Sequence, residues 1–163
     1  MKAKKLTTLG LCVALALILS YVESLLPPLV AVPGVKAGLP NIVILFLLYR
    51  YGWKEAASVS LVRLLLTAAL FTGYAAFFYG LAGAALSLFG SALLKKSGRF
   101  SPLGVSAAGG ILHNLGQIAL AALILDGGYI FAYLPVLLLS GTLAGAVVGL
   151  LAGILIRRAD VRA

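Results

Sequence analysis

Acidic residues are scarce in this sequence. Only four occur among 163 residues, Glu23, Glu55, Asp126 and Asp160, none of them adjacent and none at motif spacing. Diphosphate chemistry with magnesium usually needs clustered carboxylates, and no such cluster is available. The single cysteine, Cys12, lies inside an apolar run, which excludes both a disulfide scaffold and a metal-thiolate centre. One histidine, His113, is too few to hold a zinc ion. There is no glycine-rich phosphate loop ending in lysine, so the chain does not draw power from ATP by itself. Nucleophile–base–acid sets are equally unsupported, so neither an enzyme nor a metal or other cofactor is expected. Charge of either sign is thin, at 10% of residues, against 63% hydrophobic residues and a mean hydropathy of +1.14. Soluble domains carry roughly 25% charged residues. So little charge cannot cover a water-facing surface, and a soluble globule is excluded.

What the sequence does contain is apolar stretches from end to end, at about 6–26, 39–51, 55–71, 74–94, 102–125 and 133–156. The first follows Lys2, Lys4 and Lys5, as a secretion signal would. Its length of about 20 residues suits a membrane span, and no small-x-small cleavage sequence is obvious before Pro27-Pro28. It is therefore expected to be a retained helix. The second stretch is short for a span, and loop charges arbitrate. With six spans and the N-terminus inside, Lys2, Lys4, Lys5, Arg50, Lys54, Lys95, Lys96, Arg99, Arg157, Arg158 and Arg162 all fall on the cytoplasmic side. Deleting the second span would move Lys36, Arg50, Lys54, Lys95, Lys96 and Arg99 outside together. The positive-inside rule thus favours six spans. It also accounts for the net charge of +9 without any nucleic-acid partner. The expected fold is an all-α integral membrane protein, one domain over 1–163, a compact bundle of six transmembrane helices with both termini cytoplasmic.

Arg63 is the costliest residue for a membrane. It lies nine residues beyond Lys54, about 14 Å along a helix and close to the bilayer centre. A midplane arginine costs about 2.5–3.5 kcal/mol on insertion scales and usually faces the bundle interior. Helical spacing puts Ala56, Ser60 and Thr67 on its side. Anion binding and a structural ion pair both fit. His113, Asn114 and Gln117 form a second constellation, sharing a face with Gly109 and Gly110. That face suits a polar cavity, or interhelical hydrogen bonding with no ligand. Lys36 and Asn41 sit towards the outer side, where they can draw an anion to Arg63. Glu23 and Asp126 are on the same side. Either can pair with Arg63 or with a cationic ligand, or stand as a solvated loop charge, the better reading for Asp126-Gly127-Gly128. Glycines recur every fourth residue at 141, 145, 149 and 153, and small pairs occur at Gly10–Ala14 and along Gly83, Ser87 and Ser91. Such ridges let helix backbones approach closely in lipid.

Several of these segments together resemble one family. They are Lys36-Ala37-Gly38-Leu39-Pro40-Asn41, Lys54-Glu55-Ala56 with Arg63 downstream, His113-Asn114-Leu115-Gly116-Gln117, Tyr133-Leu134-Pro135-Val136 and Ser140-Gly141. The chain resembles, over nearly its whole length, the small bacterial membrane proteins labelled heptaprenyl diphosphate synthase component I, also called the Gx transporter family. That family is similar in fold to the substrate-binding S components of energy-coupling factor (ECF) transporters. The resemblance implies a six-helix protein that captures a small molecule at the outer side and topples to deliver it. A coupling protein and two ATPases would dock on the helix-one face marked by Gly10 and Ala14. The aspartate-rich motifs of a prenyl diphosphate synthase catalytic subunit are absent, so towards such an enzyme this chain could only assist.

Two functions follow. The first expectation is a solute-binding subunit of an uptake transporter in the bacterial cytoplasmic membrane. Lys36, Asn41, Arg63, His113, Asn114 and Gln117 would hold a small polar or anionic ligand, with the segment 27–36 as its cap. The alternative is a membrane scaffold or accessory subunit of an isoprenoid, polyprenyl diphosphate-forming complex. In both, the surroundings are membrane lipid.

Overall fold

The computed structural model of the chain describes residues 2–26, 37–125 and 128–160. The apolar runs, with charge near their ends and at Arg63 within the third, become helices in the order α1 (Lys2–Leu25), α2 (Asn41–Arg50), α3 (Trp53–Thr67), α4 (Gly73–Ser97), α5 (Pro102–Leu125) and α6 (Leu134–Asp160). A π-turn over Ala68–Thr72 joins α3 to α4, and a 3-10 turn over Gly128–Tyr133 leads into α6. Four stretches are long and apolar enough to cross a membrane: Ala3–Leu25, Trp53–Ser97, Pro102–Ile124 and Phe131–Ala159.

The second of these is not one straight rod. Its 45 residues would extend to about 67 Å, over twice the hydrocarbon thickness of a bilayer. The chain turns back at Gly73, whose φ of +79° belongs to the region that favours glycine. A Cβ placed on Gly80 would lie 2.9 Å from Leu64 Cδ2, so α4 returns along α3 as a hairpin. The break expected at Thr72-Gly73 is therefore where the structure has it.

The exterior and interior are exchanged relative to a soluble protein. Large apolar side chains such as Leu6, Tyr74 and Leu123 are exposed, whereas Ser20, Ser60, Arg63, Ser91, Ser106 and Asn114 are buried. A greasy exterior, with the few polar side chains turned inward among an apolar core, is what a hydrocarbon solvent demands.

The second helix is shorter than expected. The sequence suggested 39–51, but Gly38 has φ +75°, Leu39 and Pro40 form a turn, and the helix covers only Asn41–Arg50. At about 15 Å it is half a hydrocarbon thickness. It is buried on every side through Ile42, Val43, Ile44, Leu45, Leu47 and Leu48. A helix apolar all round belongs in a core, and α2 is the core around which the others stand. Both its ends are held by charges on other helices. Glu23 Oε1 on α1 accepts the backbone N–H groups of Gly38 and Leu39 just before it. At the other end Lys95 Nζ on α4 donates to the carbonyls of Leu48 at 2.7 Å and Tyr49 at 3.4 Å, and lies 5.2 Å from the Tyr49 ring centre.

Helices α5 and α6 meet through glycine. A Cβ on Gly141 would come 2.7 Å from the carbonyl oxygen of Gly110, and one on Gly149 would come 2.7 Å from Leu103 Cα. The four-residue glycine ridge is thus an internal seam for its first three members, while Gly153 has open space beside it. On α1, Gly10 also meets nothing within 4 Å, and both Gly10 and Ala14 face outward.

Candidate functional site

All six helices contribute to one cavity of about 170 Å³. That is comparable to the cavity of about 150 Å³ in which an engineered protein interior takes up benzene, so a molecule of one ring or its equivalent fits. The cavity has a mixed lining: α2 contributes the apolar Ile44, Leu45 and Leu48, while other helices turn small and hydroxylated residues inward. From α3 come Ser60, Arg63 and Thr67; from α1, Ser20 and Glu23; from α4, Ser87 and Ser91.

Arg63 sits where its helical spacing put it, with Ala56 and Ser60 buried on the same face. Its side chain is 8% exposed. Nη1 donates to Ser20 Oγ at 3.3 Å across to α1, and Ser20 in turn donates to the Ala16 carbonyl at 2.9 Å. Arg63 Nε is buried without a hydrogen-bond partner among the described residues, as is Thr67 Oγ1 one turn along. Five N–H donors on a guanidinium are therefore served by one serine hydroxyl. The structural ion pair weighed for Arg63 is not made with Glu23: the ion pair among the described residues is Lys5–Glu55, 2.5 Å, between the first turns of α1 and α3. Glu23 nonetheless lines the same cavity.

The constellation on α5 lines the same cavity as Arg63. His113 and Gln117 are one turn apart, Nε2 to Nε2 at 3.3 Å. Space for the imidazole comes from α4, where a Cβ on Gly83 would lie 2.9 Å from His113 Nε2. Asn114 is differently engaged. Its Nδ2 donates to the Leu137 carbonyl on α6 at 2.6 Å, which ties α5 to α6 and leaves its oxygen for other contacts.

Of the residues expected from the sequence, Asn41, Arg63, His113, Asn114 and Gln117 all line this one cavity. Lys36, the segment 27–36 expected to cap it, and Asp126 lie outside the described residues. Sequence reasoning missed Ser20, Ser106 and the inward role of Ser87 and Ser91. Their spacing of four was visible but reads equally as a packing ridge. Ser87 and Ser91 serve both purposes, since each also stands close against Gly109 of α5.

A family model described as heptaprenyl diphosphate synthase component I matches residues 12–155. The chain belongs to that family. No curated protein and no solved structure matches it.

Proposed function

We propose that this member of the heptaprenyl diphosphate synthase component I family is a multi-pass component of the bacterial cytoplasmic membrane that assists a prenyl diphosphate synthase without catalysing its reaction. The family description is the observation that carries this reading. It reverses the order expected from the sequence, where transport came first, because the description names a synthase component and says nothing of uptake. Four acids without a cluster fit an accessory rather than a catalytic role. The greasy exterior suits a protein that keeps a soluble synthase beside the bilayer into which a long isoprenoid tail partitions. In this reading the chain crosses six times with both ends cytoplasmic, α2 crossing only with the help of the residues that precede it. Membrane lipid surrounds it, and no nucleic acid is involved.

A second reading has one specific observation in its favour, the cavity lined by all six helices around the buried Arg63. Packing alone has no need of an arginine with a single hydroxyl partner in a membrane interior. Here the chain is a solute-binding subunit. Asn41, Arg63, His113, Asn114 and Gln117, together with Lys36, hold a small polar or anionic molecule, and a coupling protein and ATPases dock on the outward α1 face of Gly10 and Ala14. The cavity is too small for a polyprenyl chain, and one guanidinium is a poor match for a diphosphate. The two readings therefore differ in what accompanies the protein. Affinity purification of the tagged chain from its native membranes, after mild cross-linking, separates them. A catalytic prenyl diphosphate synthase subunit without ATPases is the expected companion. A coupling protein with two ATPases, and no synthase, would replace the first reading by the second.

A further inference from the structure

The cavity holds two opposite charges that do not touch. Arg63 and Glu23 are the charged side chains among its described lining residues, yet they are not within ion-pair distance of each other. Each is anchored apart from the other. Arg63 is drawn to Ser20, and Glu23 Oε1 is drawn to the backbone N–H groups of Gly38 and Leu39. Ser20 and Glu23 are three residues apart on α1 and so share a face, about one helical turn apart along its axis. Both anchored groups keep capacity. The guanidinium has donors to spare, and its Nε–H is unpartnered. A carboxylate offers about four acceptor positions on two oxygens, and the two N–H groups on Glu23 occupy only Oε1.

In a low-dielectric interior, opposite charges that face one space attract strongly. Held apart, they present a donor group and an acceptor group to one cavity, the arrangement that a molecule with the complementary pair of charges would meet. A monoanion would satisfy Arg63 and face Glu23 with like charge. A cation would do the reverse. A diphosphate would set several negative charges against one guanidinium and beside a carboxylate.

We infer that the cavity binds a compact zwitterion, an amino-acid-like molecule with its carboxylate at Arg63 and its ammonium group at Glu23. This rests on the second reading above, that the cavity is a ligand site. The volume of about 170 Å³ suits an amino acid. The imidazole of His113 and the amide of Gln117, which line the same cavity, meet whatever side group the zwitterion carries.

The test uses the full chain in lipid nanodiscs, each of the twenty protein amino acids as probes, and inorganic diphosphate beside them. Binding is read as a saturable rise in melting temperature. For any amino acid that binds, its deaminated acid and decarboxylated amine are measured too. At least one amino acid should stabilise the chain, with its acid and amine counterparts at least about tenfold weaker, as for a lost buried charge contact. Glu23→Gln should abolish the advantage over the acid, and Arg63→Gln the advantage over the amine. Variants whose unliganded melting and size-exclusion profiles match the wild type carry the comparison. Equal binding of zwitterion and acid, or binding of inorganic diphosphate with no amino acid active, overturns the assignment while leaving the cavity a ligand site. If no probe stabilises the chain and native mass spectrometry finds no small molecule on it, the binding-site reading itself fails. If native mass spectrometry finds a bound molecule that is not zwitterionic, only the ligand class fails.

Discussion

Arg63 of α3 reaches Ser20 of α1, Nη1 to Oγ at 3.3 Å, and Ser20 hands its own hydrogen to the Ala16 carbonyl at 2.9 Å. A buried guanidinium thus has a hydroxyl for a partner, with no carboxylate at ion-pair distance among the described residues. Removing the guanidinium breaks no direct ion pair: Ser20 keeps Ala16, and Glu23, which faces the same cavity, keeps the N–H groups of Gly38 and Leu39. Arg63→Met is therefore expected to leave unliganded stability unchanged or to raise it, by up to about 1–4 kcal/mol. Unfolding in mixed micelles measures this. A loss of about 3 kcal/mol or more would show that Arg63 is a structural bolt.

The glycine ridge of α6 provides a matched pair. A Cβ on Gly141 would meet the Gly110 carbonyl oxygen at 2.7 Å and Asn114 Nδ2 at 2.8 Å, and backbone cannot yield as a flexible side chain does. Gly141→Ala should cost about 1–3 kcal/mol or more as α5 and α6 are pushed apart. Gly153 has nothing within 4 Å, so Gly153→Ala should be neutral or gain up to about 1 kcal/mol of helix propensity. Thermal melts of the two variants side by side test the seam.

Lys95 holds the C-terminal carbonyls of α2, at 2.7 Å to Leu48 and 3.4 Å to Tyr49. Lys95→Met keeps the stem and removes the donors, leaving those carbonyls short of a partner. A loss of about 1–3 kcal/mol is expected. Hydrogen exchange should rise first in the last turn of α2 and not in α5 or α6.

Glu23 does the corresponding work at the other end. Glu23→Ala frees the N–H groups of Gly38 and Leu39, and amide exchange at residues 37–41 should accelerate. Glu23→Gln retains an acceptor oxygen and should restore most of the protection. Equal exchange in all three proteins would mean that the carboxylate does not fix this segment.

Much of the architecture was legible from residue order. Arg63 with Ala56 and Ser60 could be put on one buried face by the helical period alone, and Gly73 marked the reversal between α3 and α4. The character of α2 was less visible. Its apolar residues were counted as a short span, yet a run with no polar face also signals a helix buried all round, which is what α2 is. The site was half legible. Residues that stand out by cost or rarity, such as Arg63 and His113, were found. Ser20, Ser87, Ser91 and Ser106 were not, because a serine inside a membrane helix looks the same whether it lines a cavity or merely lets a neighbour approach. Glu23 gave no sign of its double duty either, since its partners at Gly38 and Leu39 are brought to it by the tertiary fold.

The ligand-site reading of this synthase-component family member stands on the cavity around Arg63. Native mass spectrometry of the gently purified wild type beside Arg63→Met tests it most directly. The account predicts one small molecule bound per wild-type chain and none on an equally stable Arg63→Met. A ligand-free wild type, or the same ligand retained at the same occupancy by the variant, would contradict it.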